Sequence, residues 1–381
     1  MKKIFQVGAG LVGKTMALDL SKNYELHLGD TNLDLLKKIK SEDSSIQISQ
    51  IDVQDKEVFK SWIAEADIVL LAVPGFLGFE ALKTIIECKK NVVDISFSPE
   101  NVLSLNDLAI KNNVCAVVDA GVAPGIPNFL LGYWDAKMQI NSFNYLVGGL
   151  PKNPLPPYNY KAPFSPIDVV EEYTRPARMM IDSKIEIKPA LSEIEEFDIA
   201  DVGKLEGFNT DGLRSLLDTM KHIPNMKEKT LRYPGHAALI QSMIDKNLFD
   251  KNNFDKTVSK LFNDWKLEED EPEFTVLDIN INGNEKNIHY HLYDEMDIIS
   301  KSSSMARTTG YTATATINML LKEIWSTKGV SPPEIVGANE NCTNFLLEYL
   351  SSRNVKISQI WNFSISFILI LIPSPFLLYI V

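Results

Sequence analysis

Short apolar runs alternate with longer amphipathic segments along the first third of the chain. The apolar runs that predict strands lie at 4–7, 24–29, 46–51, 67–73, 91–95 and 114–118. The segments with helical spacing lie at 16–20, 33–39, 55–64, 76–89 and 99–112. Strands and helices that alternate at this spacing form βαβ units. The pattern therefore predicts an α/β fold built on a Rossmann-type, doubly wound parallel sheet.

The pattern changes at residues 121–127, where two glycines and two prolines interrupt it. Breakers at this density mark the exit from a regular domain. Further along, 274–281 and 287–293 alternate around Asn282-Gly283-Asn284, which is typical of a hairpin. Because hairpins belong to mixed or antiparallel sheets, we expect an inserted α+β domain with a mixed sheet.

These changes suggest four parts of the chain. An apolar helix over 312–322 follows the polar segment 306–310 and is expected to pack back on the first domain. The expected parts are a Rossmann-type domain over 1–125, an inserted α+β domain over 126–305, returning helices over 306–356, and an apolar C-terminal tail over 357–381.

The tail carries no charge after Lys356, and 363–381 is almost wholly apolar. Its length is close to the 20 or so residues that span a membrane as a helix. Pro373 and Pro375 would break such a helix near its middle, so we expect no membrane association. The alternatives are a buried or subunit-interface tail and an extension without a role in function.

Composition and charge narrow the class of protein. The formal charge of −12 argues against nucleic acid as a partner, because phosphates require clustered Lys and Arg. Three scattered cysteines are too few for a disulfide framework or a zinc site and fit a reducing cytoplasm. The first strand leaves no room for a cleavable signal. His289 and His291 share one face of a strand but have no third ligand, so we expect no metal.

The segment after the first strand is a Gly-x-Gly-x-x-Gly turn, Gly8 to Gly13, that leads into a helix. Gly8 would permit the tight turn, Gly10 the approach of a pyrophosphate, and Gly13 close packing of the helix on the strand. Asp30 ends the next strand, where a carboxylate accepts from the adenosine ribose. Because Asp30 would repel a 2′-phosphate, NAD is favoured over NADP. The alternatives are a packing turn and a site for another nucleotide.

The chain resembles the saccharopine dehydrogenase family, most closely its lysine 6-dehydrogenase branch, from the glycine turn to about Lys356. The motifs that carry the resemblance lie at 52–53, 94–96, 119–125, 148–151, 160–161, 164–166, 171–177, 209–213, 231–236 and 328–334. Saccharopine reductases carry an aspartate at the position of Ala123. The apolar residue here favours oxidation of a terminal amine over handling of the bulkier saccharopine.

The resemblance implies that the enzyme interconverts an amine and an imine with a nicotinamide cofactor. It also implies an amino-acid substrate and a homodimer formed through the second sheet. Residues 1–125 would then be the dinucleotide-binding domain, and 126–305 the substrate and dimerisation domain. The expected cofactor contacts are Gly8, Gly10, Leu11, Val12, Gly13, Asp30, Asp52, Val53, Val73, Pro74 and Ser96.

Oxidation of an amine needs a base, because an ammonium nitrogen has no lone pair to support departure of hydride. The candidate bases are Asp119 at the end of a strand, Lys161 in a proline-rich loop, and His236 after a turn. Each has a structural alternative: a turn cap, a solvated lysine and a structural histidine. The candidate substrate contacts are Tyr158, Arg175, Asp211 and Arg232. The two arginines could hold a carboxylate bidentately or pair with nearby acids.

Three functions remain open from sequence. The first is NAD-dependent oxidation of the amine of a basic amino acid to an imine or semialdehyde. The second is the chemistry of a saccharopine dehydrogenase or of a carboxynorspermidine synthase-like enzyme. The third is a nucleotide-binding sensor without catalysis, which the tail and Ala123 favour.

Overall fold

The computed structural model describes residues 1–268 and 271–360. One sheet is fully parallel, in the order β15-β6-β5-β4-β1-β2-β3. Its strands are β1 Lys3–Val7, β2 Glu25–Asp30, β3 Gln47–Gln50, β4 Ile68–Leu71, β5 Asn91–Asp94, β6 Cys115–Val117 and β15 Gly329–Ser331. Every residue of β4 is buried, as expected for a strand covered on both faces. The predicted Rossmann-type sheet is confirmed.

Helices flank this sheet on both sides. They are α1 Leu11–Leu20, α2 Leu33–Glu42, α3 Lys56–Trp62, α4 Gly75–Glu87 and α5 Asn106–Lys111. The predicted helix over 99–112 is wrong in its first half, which forms a 3₁₀ turn at Val102–Leu105. The side chain of Asn101 accepts from the N–H of Leu103 and so starts the chain in that tighter turn.

The second sheet is mixed, in the order β10-β11-β12-β7-β13-β14-β16, and β8 pairs with both β12 and β9. Its strands are β7 Ile140–Pro151, β8 Ala177–Ile181, β9 Lys184–Lys188, β10 Glu195–Ile199, β11 Gly203–Asn209, β12 Asn225–Arg232, β13 Glu273–Gly283, β14 Asn287–Glu295 and β16 Ile357–Ile360. Strands β7 and β12 run parallel, and the predicted hairpin is β13–β14. The predicted α+β part with a mixed sheet is therefore confirmed.

The remaining helices cover the second sheet or join it to the first. They are α6 Ile126–Asp135, α7 Pro166–Thr174, α8 Leu216–Thr219, α9 His236–Asp245, α10 Phe254–Asp264, α11 Ser304–Leu321, α12 Pro333–Gly337 and α13 Glu340–Ser351. Helix α11 begins eight residues before the predicted start at 312, because Ser303 caps it by accepting from the N–H of Ala306.

Helix α11 packs on α1 of the parallel sheet. A side chain on Gly310 would lie 3.1 Å from Met16, so the glycine allows the close approach of the two helices. The carboxylate of Asp19 in α1 accepts from Thr314 of α11 and from Arg353 after α13. These contacts attach the C-terminal helices to the first domain.

The last four residues described form strand β16, which pairs antiparallel with β14. The sequence predicted that the tail begins at 357. Because residues 357–360 pair with β14, they belong instead to the second sheet. The rest of that predicted tail, 361–381, lies outside the described residues. Within the described ranges, no helix combines the length and the apolar character needed to cross a membrane.

Candidate functional site

A cavity of about 800 Å³ opens at the carboxyl ends of the parallel strands and extends over the face of the second sheet. Val7 at the end of β1 and Ala72 after β4 line it. The order of connection reverses between these two strands, and ligands bind at such a switch point in doubly wound sheets. The cavity therefore lies where the fold places a ligand.

The glycine turn forms one end of the cavity. Gly8 has a φ of +108°, and a Cβ there would lie 2.1 Å from the carbonyl oxygen of Ala72. A Cβ on Gly13 would lie 2.2 Å from the carbonyl oxygen of Gly8, so only glycine allows α1 to approach β1 this closely. A Cβ on Gly10 would meet nothing within 4 Å, because it would point into the open groove. With the first amides of α1 facing it, this groove fits the pyrophosphate of a dinucleotide.

Asp30 ends β2 and lines the same end of the cavity. One carboxylate oxygen accepts from the N–H of Ala9 at 2.7 Å, and the other accepts from the N–H of Asn32 at 2.8 Å. These bonds hold the carboxylate beside the glycine turn. Each oxygen keeps a lone pair for a ribose hydroxyl.

The other predicted cofactor contacts divide into two groups. Those that line the cavity are Leu11, Val12, Asp52, Val53, Val73 and Pro74. Ser96 does not line it. Its side chain is buried against α4, where a Cβ on Gly78 would lie 2.5 Å from the Cβ of Ser96.

The other end of the cavity is acidic. Two arginines line it, Arg175 and Arg232, together with the six carboxylates of Asp119, Asp168, Glu171, Glu172, Asp211 and Glu228. Four of these carboxylates form ion pairs with arginines, in the pairs Asp119–Arg214, Glu171–Arg175, Glu172–Arg232 and Asp211–Arg178. Asp168 and Glu228 have uncharged hydrogen-bond partners in the described structure.

Asp119, a predicted base, lies at the cavity in a buried ion pair. The Nε of Arg214 lies 3.1 Å from each of its carboxylate oxygens. Arg214 also donates to the carbonyl of Ser98 and stacks over the ring of Phe97 at 4.5 Å. The carboxylate of Asp119 is therefore held in a buried ion pair with this guanidinium.

The other two predicted bases do not line the cavity. His236 is buried, with Nδ1 2.8 Å from the carbonyl of Tyr158 and Nε2 3.0 Å from the hydroxyl of Tyr173. Burial lowers the pKa of His236 to about 3, assisted by the positive charge of Arg232. The amine of Lys161 donates to the carbonyl of Lys266 at 3.0 Å.

Three of the four predicted substrate contacts line the cavity: Arg175, Asp211 and Arg232. Arg232 donates to Glu172 at 3.1 Å and to the hydroxyl of Tyr173 at 3.0 Å. Asp211 accepts two bonds from Arg178, both of 2.9 Å. The fourth, Tyr158, lies outside the cavity, with its ring packed edge-on against Trp265.

The sequence analysis did not select Glu228, Asp168 or Glu172. Burial raises the pKa of Glu228 to about 7, of Asp168 to about 6 and of Glu172 to about 7. Glu228 lies between two lysines in β12, a pattern typical of a solvated strand. The signal that could have identified it is the period of two in β12, because Glu228, Thr230 and Arg232 all line the cavity.

The predicted histidine pair on β14 interacts with one carboxylate. His289 and His291 both contact an oxygen of Asp278, at 2.8 and 3.2 Å. In the part of the chain that the structure describes, no group of three His, Cys, Asp or Glu residues could hold a metal ion.

Two family models match the chain. The model of the saccharopine dehydrogenase NADP binding domain matches residues 4–117, and that of the saccharopine dehydrogenase C-terminal domain matches 121–355. The chain is 23% identical over 268 residues to the mitochondrial alpha-aminoadipic semialdehyde synthase of Rattus norvegicus, covering 65% of this chain and 28% of that protein. It is 28% identical over 145 residues to the Arabidopsis thaliana alpha-aminoadipic semialdehyde synthase, covering 35% of this chain and 13% of that protein. The chain thus matches under a third of the length of these relatives.

Two solved structures share the fold. Saccharopine dehydrogenase (L-Glu forming) from Saccharomyces cerevisiae superposes with a TM-score of 0.74 at 17% identity, over 95% of this chain and all of that one (100%). Homospermidine synthase from Legionella pneumophila in complex with NAD gives 0.70 at 12% identity, over 94% and 91% of the two chains. With the C-terminal domain model matching more than half of its length, the chain belongs to the saccharopine dehydrogenase family.

Proposed function

We propose that the protein is an NAD-dependent oxidoreductase that oxidises the terminal amine of a basic amino acid, with lysine as the reference substrate. One observation carries the proposal: a single cavity joins the glycine groove to a chamber in which, among the described residues, six carboxylates have only four arginine partners, Arg175, Arg178, Arg214 and Arg232. The groove fits a dinucleotide, and the chamber carries the charge that attracts an ammonium group. The cofactor and the amine would therefore lie in one continuous cavity.

The charge of the chamber favours a cationic substrate. Arg175 and Arg232 each already pair with a glutamate, so the lining does not offer several free cations. A substrate with three carboxylates, such as saccharopine, would be repelled by Asp168 and Glu228, which have no ion-pair partner in the described structure, whenever these two carboxylates are ionised. Ala123, which lines the cavity, adds no charge of its own.

Arg175 is suited to hold the one carboxylate of an amino acid. Its Nη2 donates to Glu171, and its guanidinium lies 5.2 Å from the centre of the Phe97 ring. A guanidinium has five N–H donors in a planar fork. One bond to Glu171 leaves donors for a substrate carboxylate, which Arg binds in a bidentate manner.

The residues at the other end favour NAD. When bound, the nicotinamide accepts a hydride from the carbon that carries the amine. Gly8, Gly10 and Gly13 shape the pyrophosphate groove, and Asp30 faces the ribose position. A 2′-phosphate next to the carboxylate of Asp30 would meet like charge. The family model that matches residues 4–117 is named for NADP. A preference of this protein for NAD is therefore a specific property to test.

The test is to mix purified protein with lysine and NAD and to follow the absorbance of the reduced nicotinamide. We expect NAD to be reduced in the presence of lysine but not of norleucine, which has the same carbon chain without the terminal amine. Reduction that requires saccharopine would instead support the second function considered above. Binding of NAD without turnover of either substrate would support the sensor.

A further inference from the structure

Glu228 lies on the face of β12 that looks into the acidic chamber. Its side chain is buried and lines the cavity. The hydroxyl of Thr210 lies 2.8 and 2.7 Å from its two carboxylate oxygens, and the N–H of Gly212 donates to one of them at 3.1 Å. Thr210 is in turn 2.8 Å from the hydroxyl of Thr230. These bonds fix the carboxylate, and none of the donors carries a charge.

Each of the other five carboxylates of the chamber interacts with an arginine. Four of them are held in the ion pairs with arginines described above. Asp168 accepts one long bond, 3.4 Å, from the N–H of Gly75 at the start of α4, and the nearby charge of Arg175 favours its ionised form, against the larger rise in pKa that burial causes. Glu228 therefore combines access to the cavity with a fixed position and no charged partner.

We propose that Glu228 binds the ammonium group of the substrate and accepts its proton. The proposal rests on the proposed amine oxidation. A proton passes from the ammonium nitrogen to the carboxylate of Glu228, and the neutral amine keeps the electron pair of the broken N–H bond. That pair forms the C=N bond as hydride leaves the adjacent carbon for the oxidised nicotinamide, and the product is an iminium ion. Water then converts the iminium to aldehyde and ammonium.

The surroundings of Glu228 suit a proton acceptor near neutral pH. Burial raises its pKa to about 7, opposed by the hydroxyl of Thr210 and the N–H of Gly212. The negative charges of Glu172 on α7 and Asp211 after β11 raise the pKa of Glu228 further. Tyr145 on β7 is also close and stays protonated because burial raises its own pKa well above the usual value. A base works best when its pKa lies near the working pH.

The first test compares Glu228→Gln with Glu273→Gln. Glu273 is a matched control, because it is also buried, accepts from Ser304, has a pKa raised to about 7 and does not line the cavity. We expect Glu228→Gln to lower kcat for lysine oxidation by about 10²- to 10⁴-fold while NAD affinity stays the same. Glu273→Gln should keep the wild-type kcat. A Glu228→Gln enzyme with normal kcat, whatever its KM, would overturn the assignment.

A second test uses Thr210→Val, which keeps the carboxylate and removes a hydrogen bond to its charged form. Loss of that bond should raise the pKa of Glu228. The acidic limb of kcat/KM should therefore move to higher pH, with the plateau at alkaline pH retained. A purely structural role would lower the rate at every pH without moving the limb, and that result would contradict the proposal.

A third test needs no turnover. At about pH 6 Glu228 is largely protonated, so binding of the lysine ammonium should release close to one proton per site. The release is measured from the heat of lysine binding in two buffers of different ionisation enthalpy. Wild-type protein and Glu273→Gln should release the proton, whereas Glu228→Gln should not. If lysine binding releases the proton but lysine is not oxidised, the assignment of Glu228 stands and the proposed function is refuted. If lysine binding to the wild-type protein releases no proton, the assignment of Glu228 is refuted.

Discussion

Arg214 reaches Asp119 across the boundary between the two sheets and places its Nε 3.1 Å from both carboxylate oxygens. Both side chains are almost completely buried, with exposed fractions of 7% and 3%. Both residues also have positive φ, 45° for Arg214 and 53° for Asp119. Non-glycine residues adopt this conformation at a cost that the surrounding contacts must offset. The pair therefore holds the second domain against the end of β6.

Removal of the guanidinium should destabilise the fold. Arg214→Met leaves the carboxylate of Asp119 buried without its partner, which costs about 3–5 kcal/mol in other proteins. Denaturant unfolding of the variant measures this loss. The double variant Asp119→Asn with Arg214→Met should recover part of it, because no uncompensated charge remains. If the free energy of unfolding of Arg214→Met lies within about 0.5 kcal/mol of the wild-type value, the pair does not join the domains.

The residues that line the glycine end of the cavity were predictable because their determinants are local. Gly8, Gly13 and Asp30 follow from the spacing of a strand, a turn and a second strand. Asp119 was selected for the same reason, since it ends a predicted strand. Its partner Arg214 lies 95 positions further along the chain, and no local pattern relates the two residues.

The residues that line the acidic end of the cavity were predicted less well, because burial decides their protonation. His236 was selected since histidine titrates near neutral pH, but the structure buries it outside the cavity and lowers its pKa to about 3. Glu228, by contrast, was not selected although it lines the cavity. The lysines on both sides of it give the sequence the pattern of an exposed strand. Its access to the cavity depends on the pairing of β12 with β7 and β11, which residues 225–232 alone do not specify.

Asp30 should determine the choice between NAD and NADP. Asp30→Ala removes the carboxylate that accepts from Ala9 beside the glycine turn. A lost charge-assisted hydrogen bond to the ribose should weaken NAD by about 10- to 100-fold, while NADP binding stays equal or improves. Fluorescence titration of the reduced cofactors measures both affinities.

Asp34→Ala is the control for this prediction. Asp34 lies in the first turn of α2, is exposed and does not line the cavity. Its loss should leave both affinities unchanged. An Asp30→Ala protein with the wild-type preference would refute the ribose assignment.

Strand β16 should contribute to stability but not to cofactor binding. Its four residues pair with 289–292 of β14, and none of them lines the cavity. A chain that ends at Lys356 would leave the edge of β14 unpaired, whereas a chain that ends at Ile360 would keep it covered. We expect the shorter chain to melt at a lower temperature and to bind NAD with the same affinity. Equal melting temperatures would show that β16 adds little to the second sheet.

Glu273 should make stability depend on pH. It begins β13, is 1% exposed, and accepts from the backbone and hydroxyl of Ser304 at the start of α11. Burial raises its pKa from 4.5 to about 7. The folded state therefore binds a proton more tightly than the unfolded state does. The stability that this provides is complete below the unfolded pKa and is lost as the pH rises through about 7.

Glu273→Gln removes this titration while keeping nearly the same shape. The two proteins should differ little in stability at about pH 5, where Glu273 is protonated. At about pH 8 the variant should be the more stable by on the order of 1–3 kcal/mol, because no charge has to be buried. Urea unfolding at both pH values measures the difference. Asp94 and Glu172, which have similarly raised pKa values of about 7, should keep part of the pH dependence in the variant. A loss of stability that is the same at both pH values would show instead that Glu273 acts only through its hydrogen bonds to Ser304.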